Sequence, residues 1–98
     1  MNIGEVQSNN SMSYIYILKS EKTERYYIGS TSDPEKRLQE HNSGKTKSLV
    51  GHRPLVLVFK QKFANNVEAR KMEFKLKKFK NRKIIDRIVR EQNIIMGL

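Results

Sequence analysis

The stretch SYIYILKSEKTERYYIGST, residues 13–31, decides how this chain folds. It holds all four tyrosines, Tyr14, Tyr16, Tyr26 and Tyr27, and mixes them with β-branched residues on either side of a polar interval. Such residues suit a pleated, half-buried surface, so 14–19 and 25–30 read as two strands and SEKT, 20–23, as the turn of a hairpin. With Lys19 facing Glu24 across that turn, Tyr16 falls opposite Tyr27. The period of two then sorts the side chains. Ile15, Ile17, Tyr26 and Ile28 share one face and pack a core. Tyr16 and Tyr27 share the other, with Gly29 beside them. That pair is either a plain aromatic cross-strand contact or two phenols presented to a substrate.

Downstream of the hairpin, DPEKRLQEHNSG, 33–44, has the grammar of a short helix: Asp33 as N-cap, Pro34 in the first turn, Gly44 as the stop. A loop, TKSLVGHR, precedes PLVLVFKQKF, 54–63, a strand whose unbroken apolar run from Leu55 to Phe59 predicts burial on both faces. NNVEARKMEFKLKKFK, 65–80, is a helix with an apolar stripe of Ala69, Met72, Leu76 and Phe79. NRKIIDRIVREQNIIM, 81–96, is a second amphipathic helix that buries Ile84, Ile85, Ile88, Val89 and Ile95. The order β-β-α-β-α-α predicts an α/β fold, a small three-stranded antiparallel sheet flanked by helices. Ninety-eight residues hold one modest core. Residues 1–12 read as a flexible polar tail and 13–98 as a single domain.

Twenty Lys and Arg against ten Asp and Glu give a formal charge of +10. Such a field draws polyanions, so the expected partner is nucleic acid, ahead of an anionic membrane or a basic surface kept for solubility. The absence of cysteine excludes disulfides and thiolate zinc sites and fits a reducing compartment. No run reaches the length of a membrane span, and residues 1–13 lack the apolar segment of a signal peptide. The expected location is intracellular and cytoplasmic, with no membrane partner.

Two further groups carry chemistry. Arg37 and His41, spaced i, i+4, share one face of a helix whose single aliphatic residue is Leu38. An arginine for a phosphate and a histidine for proton handling is one reading. A solvated helix with Lys36–Glu40 and Arg37–Glu40 pairs is the other. Glu73 is the sole acid among eight cations from Arg70 to Lys83. It lies one turn from Ala69 and from Leu76, at the margin of the buried stripe. A carboxylate there is paired, with Lys77 or Arg70, or bound to a metal. One or two carboxylates with water filling the rest is what Mg²⁺ at a phosphate needs.

Taken in order, YIY at 14–16, YIG at 27–29, Arg37, His41 and Glu73 within EARKMEFKLKK closely resemble the GIY-YIG nuclease family, over about residues 13–85. LQEHNSG, HRPLVLVF and EARKMEFKLKK are similar to its compact single-domain, Slx1-like branch. The resemblance implies a Mg²⁺- or Mn²⁺-dependent endonuclease that hydrolyses phosphodiester bonds, in DNA ahead of RNA, with selectivity for structure. It implies a catalytic set of Tyr16, Tyr27, Arg37, His41 and Glu73. Glu73 would hold the metal and Arg37 the scissile phosphate. Tyr16 or Tyr27 would take the proton of the attacking water, helped by His41, with the metal and Arg37 lowering the phenol pKa. Tyr14 stands where the family name has glycine, and Ile85 where many members carry asparagine. Neither a cysteine-rich zinc module nor an appended DNA-binding domain is visible. A module that binds nucleic acid without turnover is the alternative. Lys45, Lys47, Arg53, Arg70 and Lys77 are the expected backbone contacts. There is no tryptophan, and Phe59, Phe63 and Phe79 are assigned to the core, so binding should be electrostatic and indifferent to base sequence.

Overall fold

The middle strand of the sheet is β1, Ser13–Ser20, in the computed structural model, which describes residues 12–79 and 81–94. β2, Tyr26–Thr31, and β3, Leu55–Phe63, flank it in the order β2-β1-β3, both antiparallel to it. The helices are α1, Pro34–Asn42, α2, Asn66–Phe79, and α3, Arg82–Glu91, with a 3-10 turn at Lys47–His52 before β3. This is the expected β-β-α-β-α-α order. Apart from Met12, the tail expected over 1–12 lies outside the described residues, as does Ile95.

β1 is buried almost throughout because both of its faces are covered. Ile15 and Ile17 join Phe59, Leu76, Ile85, Ile88 and Ile94 in the main core, with Tyr26, Ile28 and Met72 packed around it. On the other face Tyr16 and Leu18 pack with Leu49 and Leu55, and Tyr27, Leu38 and Leu57 close the margin. The alternation read from the hairpin therefore holds.

The hairpin register differs from the expected one by two residues. Tyr16 pairs with Gly29, Leu18 with Tyr27 and Lys19 with Tyr26, so the two tyrosines of the second face are diagonal neighbours and not directly opposed. The cause is Ser20, which is fully buried and belongs to the strand. Its hydroxyl donates to the His52 carbonyl at 2.6 Å and accepts from the Lys22 and Thr23 amides at 3.1 and 2.9 Å. Its backbone N–H closes the hairpin on the Arg25 carbonyl at 2.9 Å. The turn thus runs over 21–24, with Glu24 at φ 64°. A slip of two leaves every side chain on its expected face.

The apolar run of β3 also has a different cause. Ile17 pairs with Phe59 but Leu18 with Leu57, so Val58 is an extra residue in a bulge. Val58 and Phe59 both serve the main core, while Leu55 and Leu57 serve the second. β3 is an edge strand, and Val56, Leu57 and Val58 are half-buried, not enclosed on both faces.

α1 starts as expected: the Asp33 carboxylate accepts from the Lys36 amide at 3.1 Å, Pro34 sits in the first turn, and Gly44 takes φ 91°. Its polar sequence is held by Asn42, whose side-chain amide both donates to the Leu55 carbonyl and accepts from the Leu55 N–H, each at 2.8 Å. In α2 the stripe holds at Ala69, Met72 and Leu76 but fails at Phe79, the last residue of the helix, which is 49% exposed. α3 stops at Glu91, short of the expected 96, because Gln92 adopts a left-handed conformation and its amide donates to the carbonyls of Val58 and Val89. The chain then folds back to bury Ile94, whose N–H donates to Gln61.

Candidate active site

The ring of Tyr16 lies across Gly29. A Cβ built on Gly29 would approach Tyr16 Cζ to 2.5 Å and Cε2 to 2.8 Å, and the hydroxyl more closely still. Only glycine lets the phenol cross β2 in this way. The hydroxyl reaches to 3.5 Å from His41 Nε2. His41, buried at the C-terminal end of α1, places Nδ1 2.6 Å from Thr46 Oγ1. Cap, proline and the Asn42 clamp together fix the helix that carries this imidazole.

Burial, reinforced by the Arg37 charge and opposed by Glu40, holds the His41 pKa below the ordinary histidine value. This favours the neutral ring, which has one N–H. Carried on Nδ1, that hydrogen is donated to Thr46 and leaves Nε2 as an acceptor facing the phenol; the other tautomer reverses both roles. Burial likewise pushes the Tyr16 phenol up. Arg37 pulls it down through its charge and a hydrogen bond, and Glu73 and Glu40 push it further up. The lowering expected from Arg37 is present, but burial outweighs it. The charges of both Arg37 and Glu73 thus reach Tyr16.

Arg37 is 42% exposed and pairs with Glu40 at 3.3 Å, one of the ion pairs anticipated for α1. Glu73 is held from two sides: Ser30 Oγ donates to Oε1 at 2.6 Å and Lys77 Nζ to Oε2 at 2.7 Å. Burial alone would raise its pKa, but the hydrogen bonds from Lys77 and Ser30 and the charges of Lys77 and Arg70 outweigh it, and the carboxyl titrates below the usual glutamate value. An ionised, pre-aimed carboxylate at the rim of a hollow shared with Ser30, Arg70, Phe74 and Lys77 fits an oxygen-seeking cation that keeps most of its waters. No group of three or more His, Asp or Glu side chains that could hold a metal ion occurs among the described residues, so a metal at Glu73 would draw most of its ligands from water and substrate.

Tyr27 lies on the Tyr16 face and packs its ring against His52, centroids 5.4 Å apart. Both tyrosines and His41 line a cleft of about 610 Å³ with Arg25, Lys77 and Arg82. Tyr26 is structural, as expected: its hydroxyl donates to Asp86 at 2.6 Å. Lys45, Lys47 and Arg70 are exposed. Arg53 is exposed but already engaged, donating to the carbonyls of Val50 and Asn42. Ile85 is core. Sequence reasoning missed Thr46 and Ser30. Ser30 left a trace, a polar residue on the core side of β2, and Thr46 left none.

The sequence is matched over residues 12–85 by the model of the GIY-YIG catalytic domain. The chain belongs to the GIY-YIG family, whose domain usually serves as a nuclease. It is 39% identical over 87 residues to a UPF0213 protein of Clostridium perfringens, covering 84% of this chain and 92% of that one. It is 38% identical over 73 residues to a UPF0213 protein of Enterococcus faecalis, covering 71% and 82%. The solution NMR structure of the UPF0213 protein BH0048 from Bacillus halodurans superposes with a TM-score of 0.52 at 30% identity, covering 83% of this chain and 86% of that one. Among the described residues no helix is long and apolar enough to cross a membrane.

Proposed function

We propose that this chain is a divalent-metal-dependent endonuclease that hydrolyses phosphodiester bonds, acts on DNA, and selects its substrate by shape. The observation that carries this reading is the Tyr16–His41–Thr46 chain, whose phenol feels the charges of both Arg37 and Glu73. Tyr16 is the phenol that receives the proton of the attacking water. A free phenolate is not required. As the phenol oxygen accepts that proton, its own hydrogen passes to His41 Nε2, and Thr46 holds the tautomer that leaves Nε2 open. Tyr27, turned against His52, shapes the cleft. Arg37 binds the scissile phosphate and offsets the charge that builds on it. Glu73, aimed by Ser30, would hold Mg²⁺ or Mn²⁺, which when bound supplies Lewis-acid stabilisation of phosphate and leaving oxygen. Lys45, Lys47, Arg70 and Lys77 contact the backbone without reading bases.

The test is cleavage of labelled single-stranded, duplex, forked and flapped DNA, and of RNA counterparts, in Mg²⁺, Mn²⁺ or EDTA. The expected result is metal-dependent cutting of DNA that carries a single strand beside a duplex. Binding without cutting in either metal would leave the second reading, a nucleic-acid-binding module. That reading is favoured by one observation, the ion pair that Lys77 already makes with Glu73.

A further inference from the structure

Phe74 is 67% exposed, more than any other large apolar side chain among the described residues. Single exposed apolar residues are ordinary, but this one has a defined setting. Arg70 and Lys78 lie one helical turn to either side of it on α2. It borders the Glu73 hollow on one side and, on the other, a groove of about 680 Å³ that it shares with Val67 and Phe79. An aromatic face therefore stands where the candidate metal carboxylate meets a track of cations.

Cations spaced along an aromatic surface match a polyanion whose bases are bare. Lysine and arginine take the phosphates, and a base stacks on the ring, whatever its identity. Bases inside a duplex have their faces covered by neighbouring pairs and offer no face to a ring on a helix surface. We propose that Phe74 is a stacking platform for an unpaired base next to the scissile phosphate, with Arg70 and Lys78 holding the flanking phosphates of the same strand. The position beside a scissile phosphate rests on the nuclease reading; the stacking itself does not. This site gives the enzyme a preference for single-stranded segments that its charge alone would not provide.

The test is a titration in EDTA of an unpaired DNA strand and of the same strand with abasic residues, against the wild type, Phe74→Ala and Phe74→Trp. Phe74→Ala should weaken binding of the base-bearing strand by about tenfold, the effect of losing one stacked base, and leave the abasic strand unchanged. Phe74→Trp should restore the affinity. Equal weakening of both strands, or of neither, overturns the proposal. So does sedimentation as a dimer that Phe74→Ala dissociates, which would assign the surface to a second copy. So does loss of binding to phosphatidylserine vesicles with strand binding intact, which would assign it to a membrane. A wild type with the expected base dependence that cuts nothing in Mg²⁺ supports the stacking site and removes the catalytic reading.

Discussion

Gly29→Ala separates the roles of packing and chemistry at the centre of the site. The added methyl would overlap the outer edge of the Tyr16 ring, with Cζ at 2.5 Å and Cε2 at 2.8 Å. The backbone of β2 is pinned by pairing to β1, so the ring must swing away. Overpacking of this kind costs about 1–3 kcal/mol, and alanine in place of a strand glycine recovers about 0.5–1 kcal/mol of backbone entropy. The expected net loss of stability is therefore small, roughly 0–2.5 kcal/mol from those two terms. The loss of rate should be far larger. The hydroxyl already stands at 3.5 Å from His41 Nε2, and an error of about 1 Å in a reacting group lowers a rate by about 10². Urea denaturation and single-turnover cleavage of one fork substrate would measure both. The same substitution in a Tyr16→Ala background isolates the cause, because nothing then remains to clash. There Gly29→Ala should become neutral or stabilising, which makes the coupling between the two sites about 1–3 kcal/mol. If the destabilisation is the same with and without the ring, or if Gly29→Ala cleaves at the wild-type rate, the geometry claimed for Tyr16 is wrong.

Glu73→Ala should abolish metal-dependent cleavage while leaving metal-free DNA binding intact or tighter, and Arg37→Ala should slow cleavage by about 10²–10³; quench-flow and anisotropy measure the two, and an active Glu73→Ala would remove the metal assignment. Because the folded pKa of His41 lies below 6.5, its contribution to stability is complete above that value and is lost as pH falls through it towards the depressed folded value. Urea midpoints at a series of pH values should show this fall in the wild type and a shallower one in His41→Gln; parallel curves would mean that the imidazole is not held neutral. Asn42→Ala leaves both backbone groups of Leu55 without their partner and should destabilise the fold by about 1–3 kcal/mol, read from thermal unfolding. The affinity for DNA should fall with salt at a log–log slope of about −0.9 for each of roughly four to six phosphates; a shallow slope would contradict a backbone-dominated interface.

The faces of the hairpin were legible because side-chain alternation survives a slip of two residues. The register was not, because it depends on Ser20 bonding to the His52 carbonyl, a contact across 32 positions that no local pattern announces. The Leu55–Phe59 run has the composition of a buried central strand, and only the pairing shows that a bulge produces it. Arg37 and His41 were legible from helical spacing, and Glu73 from its place at the margin of a stripe. Thr46 and Ser30 were not, since each gains its meaning from a partner brought in by the fold. Phe79 was misplaced because periodicity extends to the last residue of α2 while burial does not.

The amides of Asn42 and Gln92 also govern how the sheet can meet other molecules. A three-stranded sheet has two open borders, and an unpaired border is a template for adding a foreign strand. Along β3, Asn42 occupies both backbone groups of Leu55, and Gln92 takes the carbonyl of Val58, the bulge residue. Two side chains at helix ends act as plugs that mimic a neighbouring strand without recruiting one. Pairing of a foreign strand along β3 is hindered at Leu55 and Val58, and the β2 border is where the phenol, the imidazole and the carboxylate wait.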